Sequence, residues 1–257
     1  MKNRENETAA VGDGGKHGYL QPTPAGGLFW GPLVEGRLIR RYKRFLADVE
    51  LPDGQTITAH TANTGAMLGC SEPGRPVWLS PHDGPKRKYR HSLEMIRMPS
   101  ALVGINTGVP NRLVRAAAVA GVIPEFPDIS SCRSEVTHGD SRLDLCLTRA
   151  DRPDTYVEIK NCTLVENGTA YFPDAVTARG TKHLGELAGL AGSGYRAVLF
   201  VLVQRGDAER FGPADHIDPQ WGGALRAAVR AGVELLVYRA SLDLETIGVG
   251  SRLPVIL

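Results

Sequence analysis

Cysteine is scarce in this sequence, and none of it falls in a metal-binding spacing. The chain has four cysteines, Cys70, Cys132, Cys146 and Cys162, with no CxxC pair and no histidine at zinc-site spacing. Structural zinc is therefore not expected. At 257 residues the chain is long enough to bury a core without a disulfide framework. We predict free thiols, mostly buried.

Long apolar runs, strong net charge and a phosphate-binding glycine loop are also missing. No stretch approaches the roughly 18 apolar residues that span a bilayer, and the N-terminus lacks the apolar segment of a secretory signal. These absences predict a cytoplasmic protein that makes no membrane contact. The net charge is only +2, so affinity for nucleic acid would require local clusters of Lys and Arg. Without a glycine loop between a strand and a helix, a nucleotide-dependent sugar enzyme is disfavoured.

The first 102 residues show two kinds of sequence. Residues 1–30 are polar, rich in Gly and Pro and without periodicity, which predicts a flexible tail. Residues 31–102 contain short alternating segments separated by turns, including a hairpin turn at Pro52-Asp53-Gly54. This pattern predicts a small β-barrel, for which an OB-like barrel is one candidate.

Residues 103–257 have the alternating strands and helices of an α/β domain. An amphipathic helix begins near Asn111 and is stopped by Gly121, and two strands follow, SRLDLCLT and TYVEIKNCTL. A second helix is predicted from about Val176 to Leu190, and strand, helix and strand follow it.

The two adjacent strands carry the main chemical signal, which has the spacing D-x13-E-x-K. Strand alternation puts Asp144 on one face of its strand, and Glu158 and Lys160 together on one face of the next. If the strands pair as a hairpin, the two carboxylates approach and suit a hard cation such as Mg²⁺. Glu135 lies just upstream and is a candidate third acid. The alternative is an ordinary charged pair on an exposed strand.

Two basic features are candidate nucleic-acid contacts. On the second helix Arg179, Lys182 and His183 share one face, which suits a phosphate backbone; a solvated face with a Lys182–Glu186 ion pair explains the pattern equally. In the N-terminal half, two basic runs surround aromatic residues, which suits single strands or exposed bases. The alternative is a solvated barrel rim. These runs supply the candidates Arg41, Lys43, Arg44, Lys86, Arg87 and Lys88.

An ordered series of motifs resembles the sugar fermentation stimulation protein A (SfsA) family. The series comprises YKRFLADV, NTGAM, KRKY, SEV, SRLD, YVEIKN, YFPDAVTARGTKHLGEL and HIDP, and the resemblance runs from about Gly31 to Leu257. It implies an N-terminal OB-like domain (31–102), a C-terminal PD-(D/E)XK restriction-endonuclease-like domain (103–257) and DNA binding. It also implies that Asp144, Glu158 and Lys160 form the nuclease-type triad, with Glu135 as an additional acid.

Two functional hypotheses follow. The first is a nuclease dependent on Mg²⁺ or Mn²⁺, in which Asp144 and Glu158 bind the metal, Lys160 assists the attacking water and the barrel grips the DNA strand. The second is a DNA-binding regulator of sugar (maltose-type) metabolism genes that uses the same fold without catalysis. A homodimer is an open alternative for the assembly in both cases.

Overall fold

A computed structural model of the protein describes residues 20–85, 87–139 and 141–257. Residues 1–19, which form most of the predicted tail, and Lys86, a predicted nucleic-acid contact, lie outside the described residues. All four cysteines are free, and Cys70, Cys146 and Cys162 are buried. None of the described helices is long and apolar enough to cross a membrane.

The N-terminal part consists of two short strands and a barrel. The short strands are β1 (Leu20–Pro22) and β2 (Leu28–Trp30). The barrel strands are β3 (Val34–Tyr42), β4 (Leu46–Glu50), β5 (Thr56–His60), β6 (Pro76–Pro81), β7 (His91–Arg97) and β8 (Leu102–Gly104). They are ordered β5-β4-β3-β6-β7-β8, and a parallel contact between His60 of β5 and Ser92 of β7 closes the barrel. The predicted hairpin turn at Pro52-Asp53-Gly54 joins β4 to its antiparallel partner β5.

The C-terminal part contains three helices and nine strands. They are α1 (Val109–Val119), β9 (Ser131–His138), β10 (Ser141–Arg149), β11 (Arg152–Cys162), β12 (Leu164–Glu166), β13 (Thr169–Phe172), α2 (Ala178–Gly192), β14 (Arg196–Val203), β15 (Arg210–Pro213), α3 (Pro219–Arg230), β16 (Glu234–Leu242) and β17 (Thr246–Arg252). The main sheet has the order β1-β2-β17-β16-β14-β11-β10-β9, and β12, β13 and β15 form a small second sheet.

Helices cover both faces of the main sheet. Leu113 and Val114 of α1 pack with one face, and Leu184 of α2 and Leu225 of α3 pack with the other. The central strand β14 is accordingly an almost continuous apolar run, RAVLFVLV, as expected for a parallel strand that is buried on both sides.

Local signals set the helix boundaries. The Thr177 side chain accepts a hydrogen bond from the Gly180 NH at the start of α2, and the Asp218 side chain caps α3 through the Trp221 NH. Gly121, with φ +71°, follows the end of α1 as the sequence predicts. The second helix begins two residues later than predicted, because Thr177 is its N-cap.

Residues 20–30 differ from the predicted flexible tail. They form β1 and β2, which extend the C-terminal sheet beyond β17. Leu20, Leu28 and Trp30 are buried in the core that α1 covers. Burial of these three side chains offsets the entropy of ordering a segment that is otherwise polar and rich in turn residues.

Candidate active site

The strands β10 and β11 pair as the antiparallel hairpin that the sequence predicts. Their register pairs Leu145 with Val157, and Asp144 comes one position before this pair. The Asp144 carboxylate accepts a hydrogen bond from the Ile159 NH at 2.7 Å through Oδ2. Its Oδ1 accepts another from Asn111 Nδ2 of α1, also at 2.7 Å. The carboxylate is therefore fixed by one donor from the neighbouring strand and one from a helix.

Glu158 lies in the middle of the sheet, between β10 and β14, and is only 3% exposed. Its Oε1 accepts a hydrogen bond from Lys160 Nζ at 2.5 Å and contacts His183 Nδ1 of α2. Its Oε2 is buried and has no hydrogen-bond partner among the described residues. A buried carboxylate oxygen without a partner carries a desolvation cost, which a cation or a further donor would relieve.

His183 is positioned from its other side by Arg179, one turn earlier on α2. Arg179 Nε donates to His183 Nε2 at 3.3 Å. Because Nε2 acts as an acceptor there, a neutral His183 carries its proton on Nδ1 and donates it to Glu158. A chain of hydrogen bonds thus runs from Arg179 through His183 to the buried carboxylate.

The two carboxyl groups have opposite pKa shifts. Burial, and then the nearby charge of Glu158, raise the pKa of Asp144 from 3.8 to about 6. Burial also opposes ionisation of Glu158, but the hydrogen bond from His183 and the charge of Lys160 outweigh it and lower the pKa of that group. At neutral pH both carboxyl groups are therefore anionic.

These side chains open into a cavity of about 430 Å³, here called the catalytic cavity, at the junction of the two domains. The barrel contributes the loop Asn63-Thr64-Gly65, α1 contributes Asn111, and α2 contributes Arg179 and His183. The cavity also contains Asp144, Glu158 and Lys160. The structure thus brings the three residues of the predicted triad together in one open space.

The barrel loop is held against the C-terminal domain by Asp174. This carboxylate accepts a hydrogen bond from the Met67 NH at 2.8 Å. A Cβ atom at Gly65 would lie 2.7 Å from Asp174 Oδ1, so only glycine allows the loop to approach this closely. The sequence did not indicate Asp174 as the partner of this loop.

Glu135 lies away from the catalytic cavity. It is on β9 with φ +56°, and its carboxylate pairs with Arg142 at 2.5 Å. Its side chain is about half exposed and does not line the cavity. Its expected role as a third acid rested on its position just upstream of Asp144 in the sequence and on the family resemblance, and neither reveals this pairing with Arg142.

The predicted nucleic-acid contacts have different surroundings. Arg41 is used internally, because its Nη2 donates to the backbone carbonyls of Arg44, Asn63 and Gly65. Arg44 Nε donates to the Thr64 carbonyl at 3.0 Å. Both therefore shape the barrel loop of the cavity. Lys43 is in the turn between β3 and β4 with φ +48°.

The remaining basic candidates divide between the two domains. Lys182 is exposed on α2 and pairs with Glu186 at 3.3 Å, as the alternative interpretation of that helix proposed. Arg87 and Lys88 line a second cavity on the barrel. Arg179 and His183 are the two members of the set that line the catalytic cavity.

Asn111, like Asp174, is a site residue that sequence reasoning missed. It was identified only as the start of a helix, yet its amide nitrogen orients Asp144. The available signal was an amide side chain in the first turn of a helix that precedes the acidic strands. Strand periodicity does not say which helix residues face a strand.

The two carboxylates supply part of the ligand set that a divalent cation needs. Within the described ranges, no three His, Cys, Asp or Glu side chains cluster as a metal site. Asp144 and Glu158 would therefore supply two ligands, and backbone oxygens, water and substrate would supply the others, which suits Mg²⁺ or Mn²⁺ better than zinc. The buried Oε2 of Glu158 without a hydrogen-bond partner fits this role.

The chain has a closed barrel joined to a mixed sheet that carries two neighbouring carboxylates. These features define its class of protein, in which an OB domain is attached to a restriction-endonuclease-like domain. Residues 39–105 match the family model described as the SfsA N-terminal OB domain. Residues 108–246 match the model described as the sugar fermentation stimulation protein RE domain.

The chain aligns with nearly the whole length of relatives named sugar fermentation stimulation protein homolog. The protein from Geotalea uraniireducens is 50% identical over 225 residues, which is 87% of this chain and 97% of that protein. The protein from Geobacter sulfurreducens is 51% identical over 226 residues, or 88% and 97%. The structure of Pyrococcus furiosus SfsA in complex with Ca²⁺ aligns with a TM-score of 0.80 and 27% identity, over 88% of this chain and 96% of that chain. This chain belongs to the sugar fermentation stimulation protein (SfsA) family, which confirms the resemblance and the fold class expected from the sequence.

Proposed function

We propose that the protein is a divalent-metal-dependent nuclease that hydrolyses phosphodiester bonds in DNA. One observation carries the proposal: Asp144, Glu158 and Lys160 line the same cavity, where Glu158 keeps a buried oxygen without a hydrogen-bond partner. The Ca²⁺ complex of Pyrococcus furiosus SfsA supports a site for a divalent cation. Mg²⁺ or Mn²⁺ is the expected catalytic ion.

Asp144 and Glu158 would hold the ion, and their surroundings prepare them for it. Asn111 and the Ile159 NH fix the Asp144 carboxylate, while His183 and Lys160 fix Glu158. A bound ion would lower the pKa of water and stabilise negative charge on the scissile phosphate. Lys160 would orient the attacking water or neutralise charge as it develops. Glu135 as an additional acid stays a prediction.

DNA is the proposed substrate because the cavity lies between the two domains. OB domains bind oligonucleotides on a strand face and its adjoining loops. Here the barrel loop Asn63-Thr64-Gly65 forms one wall of the catalytic cavity, so a strand in the cavity would touch both domains. Arg179 also lines the cavity and would contact a phosphate of the bound strand. Lys182, exposed on the same helix, would add backbone attraction.

Cleavage of labelled single- and double-stranded DNA in Mg²⁺ or Mn²⁺ tests the proposal. Wild-type protein should cut at least one substrate, and chelation should stop the reaction. Asp144→Asn and Glu158→Gln should abolish cutting while the protein stays folded. Glu50→Gln is a matched control, because Glu50 is exposed at the end of β4 and lines none of the cavities described here. Cutting that survives in folded Asp144→Asn protein would refute the assignment.

A DNA-binding regulator without catalysis is the second candidate, and one observation favours it. Glu158 Oε1 is already bound by Lys160 and His183, so half of this carboxylate is satisfied without a cation. In that case the protein would regulate sugar (maltose-type) metabolism genes through DNA binding alone. Salt-sensitive DNA binding without cleavage in any divalent ion, with unchanged binding by Asp144→Asn, would favour this function.

A further inference from the structure

A second cavity, here called the barrel pocket, opens on the barrel beside the catalytic cavity. Its volume is about 420 Å³, which is within the range of sites that hold small organic groups. His60 of β5 and Tyr89, which precedes β7, form aromatic parts of its lining, and Arg87 and Lys88 contribute positive charge. An aromatic lining with adjacent cations is the composition of sites that bind nucleobases with their phosphates.

The His60 ring is available to a ligand. Its only ring contact among the described residues is with Phe45, at 6.5 Å between centroids, and neither ring nitrogen has a hydrogen-bond partner there. Burial and the charge of Arg87 lower the pKa of His60, so the ring is neutral at physiological pH. A neutral imidazole offers one donor and one acceptor, which can meet the edge of a base.

Tyr89 provides a stacking surface beside a cation. The Lys88 ammonium lies 5.5 Å from the centroid of the Tyr89 ring, and the ring is half-buried in the pocket wall. Stacking of a base on such a ring does not depend on the identity of the base, because every base has a π-face.

The barrel pocket adjoins the catalytic cavity at Thr107. This residue lines both spaces, and its hydroxyl donates to the Ala62 carbonyl of the barrel at 3.1 Å. The next residue, Gly108, lines the barrel pocket and is the N-cap of α1, where no side chain caps the helix. A nucleic-acid strand that crosses Thr107 would therefore place adjacent nucleotides in the two cavities.

We propose that the barrel pocket binds one unpaired nucleobase of the strand whose phosphate lies in the catalytic cavity. This inference rests on the proposed function for the position of that phosphate. A base that stacks on Tyr89 in this pocket has left the base stack of a duplex. The substrate class is therefore single-stranded or locally unpaired nucleic acid, held through Tyr89 and His60.

Binding of a fluorescently labelled oligothymidylate of about 12 nucleotides to the full chain tests this inference. Chelator is present throughout, so the outcome does not depend on cleavage. Tyr89→Ala should weaken binding about tenfold, as expected for loss of one stacked base, whereas Tyr89→Phe should retain it. Tyr195→Ala is the control, because Tyr195 is an exposed tyrosine that contacts His138 and Tyr156 on the C-terminal domain and lines neither cavity.

Photocrosslinking provides a readout that a merely structural role of Tyr89 would not give. A 5-iododeoxyuridine substituted along the same oligonucleotide should crosslink to Tyr89 or His60, and mass spectrometry would locate the bond. RNA of the same length distinguishes a general single-strand site from a DNA-specific one, and either result supports the pocket. Equal loss of duplex and single-strand binding in Tyr89→Ala, or crosslinks confined to other surfaces, would overturn the inference. The metal site could still be intact in that case.

Discussion

Gly65 of the barrel loop lies directly against the carboxylate of Asp174 in the C-terminal domain. The same carboxylate binds the Met67 NH at 2.8 Å, so the barrel side of the catalytic cavity is fixed to the nuclease-like domain. This contact fixes the position of the barrel loop at the edge of the cavity.

Gly65→Ala should destabilise the protein and disturb the domain junction. The added Cβ would lie 2.7 and 2.9 Å from the two oxygens of Asp174, so either the loop or the carboxylate that holds the Met67 NH must shift. We expect the free energy of unfolding to fall by about 1–3 kcal/mol in chemical denaturation. Gly84→Ala is the control, because its nearest neighbour would be 3.9 Å away. Equal stability of the two variants would contradict this account of the junction.

Asp144→Asn should stabilise the protein at neutral pH. The pKa of Asp144 is raised from 3.8 to about 6 in the folded protein, so folding disfavours its ionised form. Between pH 4 and 6 the folded state binds more protons than the unfolded state, and stability falls as pH rises; above pH 6 the penalty is complete. An Asn side chain has no charge to bury, so it avoids this penalty, but it accepts only one of the two hydrogen bonds. The free energy of unfolding should therefore rise by about 1 kcal/mol in the variant.

Thermal or urea unfolding of Asp144→Asn and wild type between pH 4 and 8 measures this gain. The difference should grow from pH 4 to pH 6 and then stay constant. Glu50→Gln, on the exposed end of β4, should show no such dependence. A variant that is less stable than wild type at pH 7 would contradict the claim that ionised Asp144 destabilises the folded protein.

Asn111→Ala should weaken Mn²⁺ binding by about tenfold without large loss of stability. The amide holds Asp144 Oδ1 at 2.7 Å, and residues that orient a metal ligand typically contribute this much to affinity. Titration calorimetry with Mn²⁺ measures the effect without requiring cleavage. Gln220→Ala, exposed in the first turn of α3, is the amide control. Equal Mn²⁺ affinities of Asn111→Ala and wild type would show that the Asn111 hydrogen bond to Asp144 does not contribute to metal binding.

Lys160→Met should separate metal binding from catalysis. The ammonium donates to Glu158 Oε1 at 2.5 Å, so its loss leaves the carboxylate pair more negative and should preserve or strengthen Mn²⁺ binding. Cleavage should fall by about 100-fold, because the group that orients water or offsets developing charge is gone. Arg230→Met, an exposed cation at the end of α3, is the control for loss of charge. If Lys160→Met lost metal binding and cleavage to the same extent, Lys160 would be required for metal binding, and this prediction would be wrong.

The fold was predictable from sequence where periodicity and turn chemistry act locally. The D-x13-E-x-K spacing predicted that Asp144, Glu158 and Lys160 share a region, because strand alternation and a hairpin suffice to bring them there. The Pro52-Asp53-Gly54 turn and the end of α1 before Gly121 were predictable for the same reason, because each depends only on neighbouring residues. The motif series and the family models agree on the two domains.

The parts that sequence did not reveal depend on tertiary contacts. Leu20, Leu28 and Trp30 read as part of a polar tail, because the surface that buries them belongs to a sheet more than 200 residues later in the chain, at β17. Glu135 was a candidate third acid, but its carboxylate pairs with Arg142 and does not line the cavity. The roles of Asn111 and Asp174 required knowledge of which helix and loop face the strands.

Anomalous diffraction from a crystal soaked in Mn²⁺ tests the central claim most directly. We expect a peak in the catalytic cavity that contacts carboxylate oxygens of both Asp144 and Glu158, and no peak there in Asp144→Asn crystals. A saturating soak that leaves this position empty, or that places the ion elsewhere in the protein, would contradict the proposed metal site.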